Sequence, residues 1–390
     1  MSQYFNRLLG AALLGVVSLL NTGCATAQAG AKTGRPQPAE VLALITKVND
    51  HWQAGHPAQV RSFWDNAAYQ TGNMAAYAVT KNEKYRQYAE DWAVFNNWQG
   101  ATSTDKAAWK YKYGETPDYV LFGDWQVCFQ TYIDLYKIKP EPVRIARARE
   151  VMEYEMSTSQ NDYWWWADGL YMVMPVMTKL YGVTKNPQYL EKLHEYFGYA
   201  NSIMYDAETG LYYRDAKYVY PQHKSVNGRK DFWARGDGWV FAGLAKVLQD
   251  LPATDPHRPE YLAKYRGLAA ALQKAQQPEG YWTRSLLDPA HAPGPETSGT
   301  AFNTYAYLWG INHGVLDQKQ YLPTAMKGWQ YLTTTALQPD GTLGYVQPIG
   351  EKAIPGQVVD KNSTANFGVG AFLLAASEMY RYAGGAPAKS

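Results

Sequence analysis

From Pro38 onward, hydrophobic and polar residues recur with the period of an α-helix in one block after another. Loops rich in Gly, Pro, Asp and Asn separate these blocks, and no long segment shows the two-residue period of a strand. The pattern predicts about twelve helices, at residues 38–53, 60–80, 83–97, 123–138, 141–157, 164–183, 186–205, 236–250, 258–277, 299–315, 320–336 and 366–382. The chain is therefore predicted to be all-α.

The second half of the chain repeats one layout three times. Each repeat has a helix with one polar face, a turn at Gly210, Gly280 or Gly341, an aromatic extended piece, and a second helix rich in Gly, Ala and aromatic residues. Six such hairpins closed into a ring predict an (α/α)6 barrel with six buried inner helices. An open solenoid is the alternative. The last repeat ends on a helix of the buried type, with no polar capping repeat after it, and this favours closure.

The N-terminal residues have the pattern of an export signal. Arg7 precedes the apolar run 8–20, which is short for a membrane span, and small residues follow it. Two cleavage positions fit: after Ala29, or before Cys24, which would then carry lipid. The protein is therefore expected to leave the bacterial cytoplasm, for the periplasm or as a lipoprotein anchored to the outer membrane.

The domain boundaries follow from these patterns. Residues 1–29 are predicted to be the signal peptide, residues 30–37 a Gly/Pro linker, and residues 38–385 a single barrel domain. No composition shift within the last range marks a second domain.

The composition of the chain narrows the classes of partner that it is expected to bind. Lys and Arg exceed Asp and Glu by only +2, so no global field attracts nucleic acid. The 14 Trp and 32 Tyr are a surplus of the kind that usually lines a binding surface, and sugar rings with apolar faces are one common ligand; the alternative is a large aromatic core, which must account for most of them. The two cysteines, Cys24 and Cys128, are not expected to pair, and the absence of HExxH or paired-Cys spacing predicts no metal site.

In a closed ring the N-terminal ends of the inner helices meet at one mouth, which is the predicted site. The residues at these ends are Trp64, Asp65, Asp124, Trp125, Gln126, Trp166, Asp168, Trp233, Arg235, Asp237, Trp239, Glu296, Ser298, Thr300, Ser363 and Asn366. Helix capping explains Asp65, Ser298 and Ser363 more readily than chemistry does. A cap, however, needs no tryptophans around it.

Asp124 and Asp168, on adjacent hairpins, form the pairing of interest. Desolvation and mutual repulsion would raise the pKa of one carboxyl and keep a proton available near neutrality, as general acid and base catalysis at a sugar requires. Asp65, Asp237 and Glu296 are rivals for the second role.

Cationic residues near the mouth suggest an acidic sugar. Arg235 lies between Trp233 and Trp239 in the sequence and suits a bidentate grip on a carboxylate; the alternative is a salt bridge to an inner-helix Asp. The basic loop 214–230, which includes His223, is either a solvated face or a contact for a carboxylated or sulfated sugar.

Four stretches resemble the unsaturated uronyl hydrolases, glycoside hydrolase families 88 and 105, and most closely the unsaturated rhamnogalacturonyl hydrolases. They are GDWQVCFQTYIDLY, WWWADGLYMVMPVMTKLYGVTKNPQYL, FWARGDGWVFAGLAKVL, and GYWTRSLLDP followed by PETSGTAFNTYAYLWGINHG. The resemblance spans nearly the whole mature chain, and W-x-D-G-L-[YF]-M together with W-x-R-G-x-G-W is a specific combination. It implies an (α/α)6 barrel, in agreement with the periodicity.

The resemblance also implies roles for individual residues. Asp168 matches the family's general acid and base, Asp124 matches its second acidic residue, and Trp166 matches the aromatic before the catalytic Asp. The substrate-binding residues that it implies, together with those predicted from their place at the mouth, are Trp166, Trp233, Arg235, Trp239, Trp125, Gln126, His223, Ser298 and Thr300.

The chain departs from the family at one place. Many members carry a histidine after the turn that precedes W-x-R-G, where this chain has Tyr212, Tyr213 and Arg214. His223 could replace that histidine only from a different loop position.

The implied reaction is removal of a 4,5-unsaturated uronic acid from the non-reducing end of an oligosaccharide made by a polysaccharide lyase. The products of rhamnogalacturonan or ulvan lyases are the expected substrates, and hydration of the C4=C5 bond needs no cofactor. Two alternatives stay open: an inverting glycosidase for saturated glycans, with Asp168 and Asp124 as acid and base, and a glycan-binding lipoprotein without catalysis.

Overall fold

Twelve α-helices and a short two-stranded ribbon make up residues 35–385, which are the residues that the computed structural model describes. The helices are α1 Pro38–Gly55, α2 Trp64–Thr80, α3 Glu83–Phe95, α4 Cys128–Ile138, α5 Val143–Ser157, α6 Ala167–Thr184, α7 Gln188–Met204, α8 Ala234–Asp250, α9 Arg258–Ala275, α10 Thr297–Asn312, α11 Gln318–Tyr331 and α12 Asn366–Tyr382. Strands β1 Trp282–Thr283 and β2 Pro295–Glu296 pair antiparallel just before α10.

The even-numbered helices form the inner ring. Each packs against the next, from α2 through α4, α6, α8 and α10 to α12, and α12 packs back against α2. The odd-numbered helices lie outside, each against its hairpin partner in the inner ring. The ring is closed, which confirms the predicted (α/α)6 barrel and rules out the open solenoid.

Glycine allows the ring to close. A Cβ on Gly72 of α2 would overlap the carbonyl oxygen of Gly370 on α12, and one on Gly370 would lie 2.5 Å from the carbonyl oxygen of Ala68. Any larger residue at either position would force the first and last inner helices apart.

The three turn glycines predicted from the repeat all adopt the left-handed region, with φ of 77° at Gly210, 98° at Gly280 and 106° at Gly341. After each turn the chain runs back to the N-terminal end of the preceding inner helix. Trp166 forms a β-bridge with Asp215, and Trp233 forms one with Ser285. Each turn of the repeat therefore brings a returning segment to the mouth of the barrel.

Some predicted boundaries were wrong near the mouth. The helix predicted at 123–138 is divided, because Gly123–Trp125 forms a 3-10 turn and α4 begins only at Cys128. Asp124 therefore precedes its helix and is not in its first turn. The helix predicted to end at residue 336 changes to a π-helix over Leu332–Ala336.

The predicted signal peptide, including Cys24 and Ala29, lies outside the described residues, as does most of the linker, so these boundaries and the export route stay predictions. Residues 36–385 form one compact unit. No helix among residues 35–385 combines the length and hydrophobicity that crossing a bilayer requires.

Candidate active site

Asp124 lies buried at the N-terminal mouth of the barrel, and Asp168 lies there with its side chain 13% exposed. Asp168 is in the first turn of α6, after the N-cap residue Trp166, and Asp124 is in the 3-10 turn before α4. Burial raises the pKa of the Asp168 carboxyl, although Arg214 and Arg235 oppose the rise. The pKa of Asp124 is raised well above its usual range, first by burial and then by the charge of Asp168. The charge of Asp168 thus acts on the carboxyl group of Asp124.

Arg214 is the cation nearest to the acid on α6. Its Nε lies 3.7 Å from Asp168 Oδ2, and its Nη1 donates to Asp215 Oδ2 at 2.6 Å. At 3.7 Å the first contact is too long for a hydrogen bond, and both of its atoms are buried without a hydrogen-bond partner among the described residues. A water molecule or a substrate atom placed between them would satisfy both groups.

The structure places Arg235 differently from either reading of the sequence. Its Nη1 and Nη2 donate to the backbone carbonyls of Gln347 at 2.7 Å and Pro348 at 2.9 Å, and the side chain is 1% exposed. Its guanidinium lies over the rings of Trp233 and Phe367, at 4.5 and 4.8 Å. The predicted alternative of an ion pair with an inner-helix Asp was wrong, because the nearest carboxylate in an ion pair is Glu296 at 3.8 Å. Arg235 fixes the loop that carries Gln347 and Pro348.

The predicted tryptophans are mainly packing residues. Trp166 is buried between Phe122 and Trp165, with ring centroids 5.0 and 4.8 Å away. Trp239 is buried deeper, against Trp64, Tyr171 and Phe302. The Nε1 of Trp233 donates to the Oε1 of Gln347 at 2.8 Å, and that of Trp125 donates to the carbonyl of Gly114 at 3.2 Å. These rings shape the floor and walls beneath the acids.

Four other predicted binding residues have structural partners. Gln126 donates to Glu155 at 2.6 Å, on the side of α5, and Thr300 accepts from the backbone N–H of Trp282 at 3.1 Å. Ser298 donates to Glu296 at 2.7 Å. His223 contacts Asp231 Oδ2 at 2.9 Å. The structure records no contact of any of the four with Asp168 or Asp124, and their side chains are explained by the fold.

The other candidates for the second acidic residue, Glu296, Asp65 and Asp237, fall into two groups. Glu296 caps α10 and accepts from Ser298, Gly299 and Gln347, so its carboxylate is fully occupied. Asp65 accepts from Asn366 at 2.8 Å, and Asp237 accepts from the N–H of Tyr212 at 2.8 Å. The second oxygen of each Asp is buried without a hydrogen-bond partner among the described residues. Burial raises the pKa of Asp237 well above its usual range, but no cation is paired with it among residues 35–385.

One group of residues among those described has metal-ligand chemistry, and it lies on the outer helices. His194 of α7 with His257 and Glu260 at the start of α9 offer ligand atoms within 4.8 Å of one another. The two imidazole rings are stacked at 3.4 Å, and this group shares no residue with the mouth.

Arg214 and Glu351 are the site residues that sequence reasoning did not assign. Glu351 lies on the loop before α12, and its carboxylate contacts Arg214 Nη1 at 3.3 Å. The sequence repeat could have indicated Arg214. Arg214 and Arg284 each follow a turn glycine by four residues, and the backbone carbonyl of each accepts from the first helical N–H of an inner helix. No repeat pattern marks Glu351.

A ring of six hairpins with buried carboxyls at an aromatic mouth defines a class, the (α/α)6-barrel glycosidases. Comparison with known sequences narrows it: the chain belongs to glycoside hydrolase family 88, whose sequence model matches residues 39–383. The predicted resemblance and the predicted activity, hydrolytic release of an unsaturated uronic acid from lyase products, are confirmed at the level of this family.

Three similar proteins show how the chain compares with known sequences and solved structures. An unsaturated 3S-rhamnoglycuronyl hydrolase from Formosa agariphila is 33% identical over 360 residues, 88% of this chain and 91% of the relative. A glycosyl hydrolase family 88 structure from Bacteroides vulgatus is 63% identical, with a TM-score of 0.88 over 89% of this chain and 100% of its own. A solved polysaccharide lyase is 70% identical, with a TM-score of 0.87 over 88% of this chain and 98% of its own.

Proposed function

We propose that this protein binds the uronic acid at the non-reducing end of an oligosaccharide and hydrates its C4=C5 double bond, with Asp168 as general acid and base. The observation that carries the proposal is the buried Asp168 Oδ2, which has no hydrogen-bond partner among the described residues and lies 3.7 Å from the equally unsatisfied Arg214 Nε. A carboxyl whose pKa is raised by burial keeps the proton that the first step needs.

The chemistry requires few groups. Asp168 donates its proton to C4 of the enol ether, and positive charge develops at C5 and the ring oxygen. Water then adds at C5 and returns a proton to Asp168. The resulting hemiketal opens, and the remaining oligosaccharide leaves without attack at C1. Asp124, buried and with a raised pKa, adds little negative charge of its own that would oppose substrate binding.

The preferred substrate class has rhamnose next to the uronic acid. The relative from Formosa agariphila, an unsaturated 3S-rhamnoglycuronyl hydrolase, supports this choice, and so do the motifs shared with rhamnogalacturonyl hydrolases.

A second function, β-elimination by a polysaccharide lyase, is favoured by one specific observation: a relative described as a polysaccharide lyase is 70% identical to this chain. In that reaction a base removes the C5 proton of a saturated uronate, the C4–O bond breaks, and the C4=C5 bond forms. A lyase needs a cation to neutralise the uronate carboxylate, and Arg214 fits that need.

One assay separates the two functions, because the unsaturated uronide absorbs ultraviolet light. With unsaturated oligosaccharides from rhamnogalacturonan or ulvan digests, a hydrolase makes the absorbance fall. With saturated glycans that carry rhamnose and uronic acid, a lyase makes it rise. Release of sugar from a saturated glycan without an absorbance change would instead identify the inverting glycosidase, and binding without turnover would identify a glycan-binding protein. Asp168→Asn is the control in every arm.

We also propose that the chain is exported, on the basis of the charged, apolar and small-residue pattern of residues 1–29. Mass spectrometry of the N-terminal peptide from the natural host tests the route. A peptide that begins at Gly30 supports cleavage after Ala29, and a lipid-modified Cys24 supports an anchored lipoprotein. An intact N-terminus contradicts export by either route.

A further inference from the structure

Both terminal nitrogens of Arg235 already donate to the protein, and its Nε is the guanidinium nitrogen that is buried without a hydrogen-bond partner among the described residues. Its two terminal nitrogens donate to the carbonyls of Gln347 and Pro348, and Nη1 also lies 3.4 Å from the hydroxyl of Ser298. To hold a uronate through both terminal nitrogens, it would have to release two backbone carbonyls that are then left without that donor. A cation at the mouth that is not held by backbone carbonyls is therefore the better candidate for the carboxylate anchor.

Arg214 and Lys217 form the alternative anchor. Arg214 is 12% exposed, lies beside Asp168, and stands over the ring of Trp165 at 5.6 Å. Lys217 follows on the same returning segment and is 65% exposed, with its Nζ 3.5 Å from Glu351. The backbone holds Arg214 in place, because its carbonyl accepts from Ala167, the first residue of α6. Anchor and acid are thus attached to the same helix end.

Glu351 occupies this anchor in the free protein. Its carboxylate lies 3.3 Å from Arg214 Nη1 and 3.5 Å from Lys217 Nζ, and it accepts from the Tyr218 hydroxyl at 2.6 Å. A sugar carboxylate bound at the same place would make these contacts. Unlike Asp215, which is 2% exposed and also paired with Arg214, the Glu351 side chain is 44% exposed. Ion pairs at that exposure contribute little, so Glu351 is the carboxylate that can leave most easily.

We propose that Arg214 and Lys217 bind the carboxylate of the terminal uronic acid, and that Glu351 is an internal competitor which holds the same cations until the substrate displaces it. The inference rests on the proposed function only in requiring that a uronate binds at this mouth. It applies equally to hydration and to elimination, because both act on a uronate. Displacement would also release the loop before α12 from the segment that carries Tyr218.

The test compares Glu351→Gln with a matched control, Glu153→Gln. Glu153 is also 44% exposed, pairs with Arg149 at 3.0 Å and accepts from the Tyr189 hydroxyl at 3.3 Å, but it lies on the outer helix α5. Binding of glucuronate and galacturonate to the purified full chain is measured by titration calorimetry, with glucose as the uncharged control. Thermal unfolding of each variant checks that the fold is intact.

Removing the competitor should tighten uronate binding about threefold to fivefold, the worth of one half-exposed ion pair. KM for the substrate identified by the absorbance assay should fall by the same factor, with kcat nearly unchanged. Glu153→Gln should alter neither quantity. Arg214→Gln should weaken uronate binding at least tenfold, since it removes the principal anchor.

Three results would overturn the inference. Weaker or unchanged uronate binding in Glu351→Gln would show that Glu351 does not compete. Unchanged binding in Arg214→Gln would place the anchor elsewhere. A wild-type protein that turns over a substrate with the same KM as the Glu351→Gln variant would overturn the inference while leaving the proposed function standing. Failure of the proposed function would look different, as no absorbance change on any uronate substrate.

Discussion

The pKa values of acidic side chains are shifted in opposite directions at the two ends of the barrel. At the N-terminal mouth, the pKa values of Asp124 and Asp168 are raised, with burial as the largest cause. At the opposite end, a cavity of about 330 Å³ is lined by Lys179 and Asp134 among others, and these two are 2.5 Å apart. There burial also disfavours charge, yet the pKa of Asp134 is lowered and that of Lys179 is raised, because each offsets the other.

Helix dipoles alone would predict the reverse at the mouth. The N-terminal end of a helix favours an anion and the C-terminal end favours a cation, so Asp168 in the first turn of α6 should ionise easily. Its raised pKa means that desolvation outweighs the dipole and the nearby arginines. Lys179, in the second half of the same helix, has its pKa raised by the charges of Asp134 and Asp250 against the effect of burial. The Lys179–Asp134 pair stabilises the fold, although burial lowers the pKa of Lys246 at the same cavity to about 8. The end with unsatisfied carboxyls is equipped for proton transfer.

The largest expected effect is on turnover. Asp168→Asn removes the proton donor and should lower kcat about a thousandfold, the usual range for a positioned acid. Asp134→Asn, the matched change at the other end, should leave kcat within about twofold. Initial rates in the ultraviolet absorbance assay measure both. A substantial rate in Asp168→Asn would assign the proton transfer to another group, with Asp124 the first to test.

The next effect is on stability and falls at the opposite end. Asp134→Asn leaves Lys179 with only Asp250, 3.8 Å away, among the ion-pair partners that residues 35–385 provide, and should lower the free energy of unfolding by about 2 kcal/mol. Urea unfolding at pH 7 measures the loss. Adding Lys179→Met should restore part of it, since the unpaired buried charge is then gone. An unchanged midpoint in the single variant would mean that the pair contributes no stability.

The sequence predicted the even-numbered helices and the ring because glycines, aromatics and polar faces repeat with the hairpin. It also placed Asp168 and Asp124 at one mouth, since parallel inner helices begin there. It could not predict how Arg235 is used, because its partners are backbone carbonyls of a loop 112 residues away in the chain. Arg214 looked like part of a solvated charge run, although its position after the turn glycine, shared with Arg284, places it at a helix start.

A smaller effect is expected when the Asp124 carboxyl is removed, namely a gain in the stability of the fold. The pKa of Asp124 is raised in the folded state, so folding favours its protonated form, and its contribution to stability falls as pH rises through that pKa. Asp124→Asn stays neutral at every pH and should raise the free energy of unfolding by about 1 kcal/mol at pH 7. The gain should disappear below the ordinary carboxyl pKa, where wild type is protonated in both states. A gain that persists at about pH 3, below that ordinary pKa, would point to packing instead of ionisation.

The smallest expected effect is a change in pH dependence. Arg214 lowers the pKa of Asp168 against the larger effect of burial, so Arg214→Gln should raise that pKa further. If Asp168 must be protonated to act, the rate is lost as pH rises through its pKa, and the alkaline limb of kcat should move to higher pH in the variant. Arg214→Lys, which keeps the charge, should leave the limb near its wild-type position. An alkaline limb that stays at the same pH in Arg214→Gln would mean that the titrating acid is not Asp168. The contrast between the two ends of the barrel would then no longer identify the group that transfers the proton.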